Sequence, residues 1–175
     1  MFTAQNIKQV MRFDLAPAGT REINMMRLAD HVLDPSFDPP INVLYVYNCN
    51  LAASMPDQPG LRRALQRPDL FTVVHDLFLT DSADYADIVL PATSPLEQDD
   101  IILAYGGDFG SFSRKALEPL AEAKSNADVF RLLATALGIT EPAVHVSAEE
   151  FAADVLTEGL SVDEFLSRPF MQTRS

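Results

Sequence analysis

INVLYVYNCNLAASMPDQPGLRRALQRPDLFTVVHDLFLTDSADYADIVL, residues 41–90, is the stretch that decides the fold. It contains runs of β-branched and aromatic residues that predict short buried strands at residues 41–47 (INVLYVY), 70–74 (LFTVV) and 87–90 (DIVL). Asp57 can cap a helix between the first two strands, and Pro68 ends that helix. A shorter helix that includes Tyr85 is predicted before the third strand. Strand, crossover and strand therefore repeat, which predicts parallel strands joined by right-handed connections.

The sequence on either side of this stretch predicts further helices and one long loop. A helix is expected over residues 22–33, and the prolines that follow it prevent its continuation. Residues 92–120 are rich in glycine and are expected to form a long loop, with room for one extended stretch. Capping-box patterns predict three closing helices, at Ser125 with Asp128, Ser147 with Glu150, and Ser161 with Glu164. Gly138 and Gly159 are expected to end the first two.

These elements predict an α/β fold, with a Rossmann-like short parallel sheet flanked by helices. Residues 1–20 are expected to form an N-terminal arm because they show only weak alternation and contain a proline and a glycine. Residues 21–140 would form the Rossmann-like domain. Residues 141–175 would form a C-terminal helical extension.

Composition excludes several functional classes. A formal net charge of −12, with 13 Lys and Arg residues that form no cluster, argues against nucleic acid and anionic membranes as partners. No apolar run is long enough for a spanning helix, so membrane insertion is not expected. Residues 1–8 lack the pattern of a secretory signal, so a cytoplasmic location is expected, with export of a longer parent chain left open. The single cysteine, Cys49, excludes an internal disulfide and a cysteine-rich metal site.

Few residues have the spacing of catalytic or metal-binding groups. The histidines are far apart and show no metal-ligand spacing: His31, His75 and His145. Cys49 follows a strand and could expose a nucleophilic thiol, but no base is near it in sequence, which favours a small buried side chain. Asp99 and Asp100 are adjacent and would point in different directions. The glycines at 106, 107 and 110 match no phosphate-binding motif and are interpreted as turn residues.

The turns after the first two strands carry polar residues where an open parallel sheet binds its ligands, namely Asn48, Asn50, His75, Asp76 and Thr80. Asn suits the first turn because it tolerates left-handed backbone geometry, and its amide both donates and accepts. The Asp76 carboxylate could accept paired hydrogen bonds from the amino group and ring N–H of a guanine. The alternative is that these residues only form turns and helix caps.

Three stretches together resemble the molybdopterin oxidoreductases of the dimethyl sulfoxide reductase and formate dehydrogenase superfamily, namely INVLYVYNCNLAASMPDQ, RPDLFTVVHDLFLTDSADYADIVLPATSPLEQDDI and EPLAEAKSNADVFRLLATALG. The match runs from about Glu22 to Gly138. It implies that residues 21–140 are part of one of two Rossmann-like domains that hold a molybdopterin guanine dinucleotide cofactor. The loop from Asn48 to Ala53 would then approach one nucleotide, and Asp76 and Thr80 would contact its guanosine end. Phe78 would pack beneath the second turn, or act as a simple core aromatic.

Two departures from the family limit what the resemblance implies. The family usually has a proline where this chain has Leu51, so the turn is expected to be looser and Asn50 less well aimed. The iron–sulfur segment, the segment that supplies the molybdenum ligand and the C-terminal β-barrel lie outside this chain, and Cys49 does not match the metal ligand. The resemblance therefore implies no redox activity from this chain alone. The remaining domains, in the same or a separate chain, would be its partners.

Two alternatives remain open at this point. One is a non-catalytic, stand-alone module that binds a nucleotide or another protein. The other is a small hydrolase or transferase that uses Cys49 or the loop with Asp99 and Asp100.

Overall fold

The computed structural model describes residues 18–103, 109–155, 162–167 and 171–172. Its strands are β1 (Val43–Tyr47), β2 (Phe71–Asp76), β3 (Ile88–Pro91), β4 (Asp100–Leu103), β5 (Phe109–Ser113) and β6 (Met171–Gln172). Its α-helices are α1 (Leu28–Leu33), α2 (Leu51–Ser54), α3 (Gln58–Leu65), α4 (Asn126–Ala136), α5 (Ala148–Val155) and α6 (Val162–Ser167). Short 3-10 helices cover Met25–Arg27, Ala83–Tyr85 and Pro142–Val144. Over these described ranges, no helix is both long enough and apolar enough to cross a lipid bilayer.

The chain divides into two compact units. Among the described residues, the first unit comprises 21–92 and 122–126, and the second comprises 18–20, 93–103, 109–121, 127–155, 162–167 and 171–172. The predicted boundaries of an arm, a domain and an extension remain a prediction.

The first unit contains a three-stranded parallel sheet with the order β1-β2-β3. The predicted α/β fold, with a short parallel sheet flanked by helices, is confirmed. Register is fixed by pairs such as Tyr47 with His75 and His75 with Leu90. Each strand lies next to its neighbour in sequence, as expected for successive right-handed crossovers.

Helices α1 and α3 supply the main core of this unit. Val46 of β1 and Val74 of β2 are buried, and they belong to one cluster with Val32 of α1 and Leu61 of α3. Fully burying a Val or Leu side chain contributes about 1.5–3 kcal/mol each. One face of the sheet is therefore fixed against two helices.

The crossover helix α3 begins as its sequence predicts. The Asp57 side chain accepts a hydrogen bond from the Gly60 N–H at 3.2 Å, and Pro59 occupies the first turn. Beyond the helix, the Arg67 guanidinium pairs with Asp69 and donates to the Val32 carbonyl. Arg67 thus ties the end of this crossover to α1.

Strand β2 is longer than predicted. The sequence predicts a turn that begins at His75, but the strand continues through Asp76, which pairs with Pro91 of β3. His75 is fully buried in the central strand, with 0% of its surface exposed. The expectation of a turn at His75 is therefore wrong, because a neighbouring strand on each side supplies backbone partners that a local pattern does not show.

The second unit contains an antiparallel hairpin within residues that were predicted to form a long loop. Strands β4 and β5 pair with Ile101 opposite Phe112, and both side chains pack with Phe165 of α6. Gly110 lies within β5 opposite Leu103, so its interpretation as a turn glycine is wrong. Gly106 and Gly107 lie outside the described residues. The apolar partner Phe165 is more than 50 residues away in sequence, which explains why local reasoning missed the hairpin.

Helices α4 and α5 match their sequence patterns. At α5, the Ser147 N–H donates to Glu150 at 2.7 Å and the Glu150 N–H donates to the Ser147 hydroxyl at 3.1 Å, which confirms the capping box. Helix α4 ends at Ala136, and Gly138 follows it with a φ of +72°, while the Ile139 N–H donates to the Ala134 carbonyl at 2.9 Å. Ser161 and Gly159 lie outside the described residues.

Candidate functional site

Polar side chains gather at the carboxyl edge of the parallel sheet, where β1 and β2 end. Asn48 directly follows β1, and Asp76 is the last residue of β2. Because Tyr47 pairs with His75, the residues that follow them, Asn48 and Asp76, lie at adjacent strand ends. The sequence-based expectation that Asn48 and Asp76 share one edge is therefore met. We call residues 48–50 the first loop and residues 77–82 the second loop.

The first loop starts with a left-handed residue. Asn48 has a φ of +53° and an exposed side chain. Asn adopts this conformation more easily than most residues because its short amide can bond locally. The chain can therefore turn sharply at the strand end and leave the Asn48 amide accessible.

The Asn50 amide joins the two loops. Its Oδ1 accepts from the Ser82 hydroxyl at 2.9 Å and from the Ser82 N–H at 3.2 Å, and its Nδ2 donates to Asp81 at 3.0 Å. The Ser82 hydroxyl in turn accepts from the Ala52 N–H at 3.1 Å. Ser82 is almost completely buried, with 2% exposed. We call Asn50, Ser82 and Asp81 the loop latch, because they hold the second loop against the start of α2.

Charge reinforces the loop latch. The hydrogen bond from the Asn50 amide is the main cause that lowers the pKa of Asp81, with a smaller contribution from the positive charge of Arg62. The bond thus favours the charged form of Asp81. Both ends of the Asn50 amide are used within the protein, so Asn50 is placed to position the loops. Its predicted contact with a ligand stays a prediction.

Unlike Asp81, Asp76 has a side chain that accepts only one long hydrogen bond from the described residues. It is half-buried, and its Oδ1 accepts one long hydrogen bond from the Phe78 N–H at 3.3 Å. Among the described residues, no hydrogen bond reaches its Oδ2. Its backbone carbonyl accepts from the Ala92 N–H at 3.1 Å, which anchors the residue to the segment after β3. The carboxylate is held in place and remains able to accept further bonds.

The second loop carries an exposed apolar tip formed by Leu77, Phe78 and Leu79. Phe78 is 75% exposed and Leu79 is 85% exposed. The expectation that Phe78 packs beneath the turn, or forms part of the core, is wrong. The Asp76 carboxylate accepts a hydrogen bond from the Phe78 N–H where the chain turns, and the Phe78 ring is exposed. An aromatic face is thus available near Asp76.

Thr80 and Ala53 are two further residues at this edge that the sequence predicts to lie near a nucleotide. Thr80 is half-buried, and its hydroxyl oxygen is buried without a hydrogen-bond partner among the described residues. Such a group costs free energy unless something else bonds to it. Ala53 lies on α2 with its side chain exposed. The Thr80 hydroxyl is therefore a fitting point for a polar ligand group.

His75 is placed differently from the other predicted residues. Its Nε2 lies 3.1 Å from the Lys124 carbonyl oxygen. A carbonyl only accepts, so Nε2 carries a proton and donates it to this oxygen, and Nδ1 has no hydrogen-bond partner in the described part of the chain. With its side chain wholly buried, His75 fastens residues 122–126 to the sheet. Its predicted role in binding a cofactor remains untested.

The residues considered for hydrolysis or group transfer, Cys49, Asp99 and Asp100, have separate hydrogen-bond partners. The Cys49 thiol lies 3.8 Å from the Ser54 hydroxyl, and Ser54 is not a base. The Asp99 carboxylate accepts from the Lys115 N–H, whereas Asp100 accepts from the Ile101 N–H. No group of three potential metal ligands occurs in the residues that the structure describes. The geometry therefore offers no support for hydrolysis or group transfer at Cys49 or at the aspartate pair.

Sequence reasoning missed the loop latch. Ser82 directly precedes the 3-10 helix Ala83–Tyr85, yet its side chain makes no cap there. Its hydroxyl bonds across to the other loop instead. The available signal was that polar residues follow two neighbouring strands, which makes a bond between the loops possible without specifying which residues form it.

Comparisons with known proteins show what this chain is similar to. A family model described as molybdopterin oxidoreductase matches residues 21–136. The probable oxidoreductase YoaE of Bacillus subtilis is 44% identical over 145 residues, which cover 82% of this chain and 21% of YoaE. Dimethyl sulfoxide/trimethylamine N-oxide reductase of Rhodobacter capsulatus is 33% identical over 138 residues, covering 71% of this chain and 16% of the reductase. Acetylene hydratase from Pelobacter acetylenicus has a similar fold, with a TM-score of 0.71 at 23% identity over 86% of this chain and 21% of the hydratase. The chain thus spans about a fifth or less of the length of YoaE and of the reductase.

Proposed function

Because the chain belongs to the molybdopterin oxidoreductase family, we propose that its carboxyl edge holds the guanosine end of a molybdopterin guanine dinucleotide. In this proposal the chain binds and orients the nucleotide, and it has no redox activity by itself. When bound, the cofactor supplies the metal chemistry, while the protein supplies orientation. Parts of the parent protein outside this chain would hold the metal.

The observation that carries the proposal is the state of the Asp76 carboxylate. It is half-buried at a strand end, one oxygen accepts a single long bond, and the other receives none from the described residues. A guanine offers an amino group and a ring N–H side by side, and a carboxylate can accept both. Adenine lacks that pair of donors. Asp76 would therefore select guanine over adenine.

Neighbouring groups fit the rest of a guanosine. The Thr80 hydroxyl is buried without a partner in the described part of the chain, so a polar ligand atom would satisfy it. The exposed Phe78 ring offers a face on which a purine can stack. The accessible Asn48 amide can donate to or accept from the nucleotide. The residues present thus supply an acceptor pair, a hydroxyl, a stacking surface and an amide at one edge.

The loop latch would position these groups without touching the ligand. Asn50 fixes the second loop through the buried Ser82. Ser82 lies four residues after Phe78. A loop fixed in advance loses less conformational entropy when a ligand binds. Asn50 therefore contributes to affinity in this proposal as a positioning residue.

Guanosine diphosphate binding to the isolated chain, measured by titration calorimetry, tests the proposal. We expect sub-millimolar affinity for guanosine diphosphate and weaker binding of adenosine and inosine diphosphates, since inosine lacks the amino group. Hydrogen bonds to a charged group contribute about 1.5–3 kcal/mol, so Asp76→Asn should weaken binding by roughly 10- to 100-fold.

Asp84→Asn is the matched control, because Asp84 is an exposed carboxylate beyond the second loop. It removes the same charge and should leave the affinity unchanged. If guanosine diphosphate does not bind at millimolar concentration, or if Asp76→Asn binds it as tightly as the wild type, the proposal fails. Absence of binding would favour a non-catalytic interaction module.

A further inference from the structure

His75 is a buried polar residue in the central strand of the parallel sheet, and the proposed nucleotide contacts do not use its side chain. None of its surface is exposed, and its Nε2 donates to the Lys124 carbonyl at 3.1 Å. Its Nδ1 has no hydrogen-bond partner in the part of the chain that the structure describes. A buried polar atom without a partner destabilises the fold relative to an apolar side chain of similar volume. Stability alone therefore does not account for a histidine at this position, and such departures are expected near functional sites.

The bond from His75 attaches the segment around Lys124 to β2. The same segment is attached to β3, because the Lys124 N–H donates to the Pro91 carbonyl at 3.1 Å and Lys124 forms a parallel bridge with Ala92. The Ala92 N–H in turn donates to the Asp76 carbonyl at 3.1 Å. These contacts form a closed ring that begins at His75 and returns to Asp76, the next residue of β2. We call the three contacts of Lys124 the histidine tether.

The histidine tether acts on the end of β2 through Ala92. Ala92 lies just beyond β3, and hydrogen bonds at the ends of elements open most easily. Its N–H holds the Asp76 backbone, whereas the Asp76 side chain accepts only one long bond, from the Phe78 N–H at 3.3 Å. The direction of the Asp76 carboxylate is therefore set mainly by its backbone. A contact that fixes Ala92 also fixes that direction.

We propose that His75 is a positioning residue for the Asp76 carboxylate, and that it acts through the histidine tether without touching the ligand. This inference rests on the proposed function, in which Asp76 accepts the amino group and the ring N–H of a guanine. Two parallel hydrogen bonds need a carboxylate that lies close to the plane of the base, whereas a single bond tolerates a wider range of directions. Loosening the tether should therefore reduce the advantage of guanosine over inosine, which lacks the amino group. His75 thereby contributes to the selection of guanine.

The ratio of two dissociation constants separates this positioning role from a merely structural one. A substitution that only lowers the folded fraction weakens the binding of guanosine diphosphate and inosine diphosphate by the same factor, so their ratio does not change. A substitution that misdirects Asp76 lowers the ratio. Both dissociation constants are therefore measured by titration calorimetry for the full chain and for each variant.

Four variants are compared. His75→Leu removes the donor and keeps a buried side chain, whereas His75→Gln keeps a side-chain N–H that can donate to the same carbonyl. Lys124→Pro breaks the tether from the other side, because proline has no N–H to donate to Pro91. Lys124 is exposed, so Lys124→Pro leaves the buried core unchanged and carries the test if His75→Leu does not fold. His145→Leu is the matched control, since the His145 Nε2 also lies 3.1 Å from a backbone carbonyl, that of Ile139, in the second unit.

The wild type should bind guanosine diphosphate about tenfold or more tightly than inosine diphosphate, as expected for one further hydrogen bond to a charged group. This ratio should fall to about threefold or less in His75→Leu and Lys124→Pro, and should stay within about twofold of the wild type in His75→Gln and His145→Leu. Hydrogen exchange at the Ala92 amide is measured without nucleotide. It should be roughly tenfold faster in the first two variants and should change by less than about threefold in the other two.

Three results would overturn the inference while the proposed function stands. One is a wild-type ratio in the variants of His75→Leu and Lys124→Pro that fold. Another is unchanged exchange at Ala92 in those variants. The third is a loss of the ratio in His75→Gln as large as in His75→Leu, because the ring bond would then not be the cause. A wild type that binds neither nucleotide, or binds both equally, would overturn the proposed function, and the role of His75 would fall with it.

Discussion

Replacing Asn50 by alanine tests the loop latch most directly. The substitution removes the acceptor for the Ser82 hydroxyl and N–H, and Ser82 is only 2% exposed. A buried donor left without a partner costs about 1–3 kcal/mol. The hydroxyl can rotate toward another acceptor, whereas the N–H cannot, so the larger part of the cost comes from the N–H. The bond to Asp81 is exposed and adds little. We therefore expect the opening of the two loops to become easier by about 2 kcal/mol.

Hydrogen exchange read by mass spectrometry measures this opening locally, so a global two-state transition is not required. The reporter is the Ala52 amide, which bonds to the Ser82 hydroxyl at 3.1 Å. A change of about 2 kcal/mol corresponds to exchange that is roughly 30-fold faster. Asn42→Ala is the control, because Asn42 is an exposed asparagine just before β1, and it should change exchange by less than about threefold. If Asn50→Ala changes exchange at Ala52 as little as Asn42→Ala does, the loop latch is refuted.

Two further predictions concern a helix cap and a carboxylate. Ser147→Ala removes the acceptor of the Glu150 N–H at the start of α5 and should destabilise that helix by about 1 kcal/mol. Hydrogen exchange at the Glu150 amide should then be roughly fivefold faster. Unchanged exchange at this amide would contradict the cap. The pKa of Asp81 in the folded protein lies below its ordinary value of 3.8, mainly because its carboxylate accepts a hydrogen bond from the Asn50 amide. The contribution of Asp81 to stability is therefore present above pH 3.8 and is lost as the pH falls through the pKa of the folded state. Asp81→Asn should therefore flatten the fall in unfolding free energy below about pH 4, measured by urea denaturation over a pH series, and identical slopes in the two proteins would argue against this.

Local sequence patterns predicted the elements whose stabilising contacts are close in sequence. The Asp57 cap and the Ser147 capping box depend on residues three positions apart, and the structure has both. The parallel sheet was also predictable, because β-branched runs alternate with a capped helix. The left-handed Asn48 follows from the ability of asparagine to adopt that conformation at a strand end.

The features that were not predicted depend on contacts between distant residues. His75 was expected in a turn, but the Lys124 carbonyl, 49 positions away, fixes its ring inside the protein. The hairpin of β4 and β5 needs Phe165 to bury Ile101 and Phe112. A single sequence does not specify these distant partners.

Asn50 is proposed to position the loops and Asp76 to contact guanine, so the two roles can be tested separately. Asn50 has its amide fully used inside the protein, whereas Asp76 keeps one carboxylate oxygen free of bonds from the described residues. Removing Asn50 should therefore loosen the loops and weaken guanosine diphosphate binding together. Asp76→Asn should weaken binding while exchange at Ala52 stays unchanged, because Asp76 does not contact the latch. If both substitutions changed loop opening and affinity in the same proportion, Asp76 would act through the conformation of the loops, and its proposed contact with guanine would lose its basis.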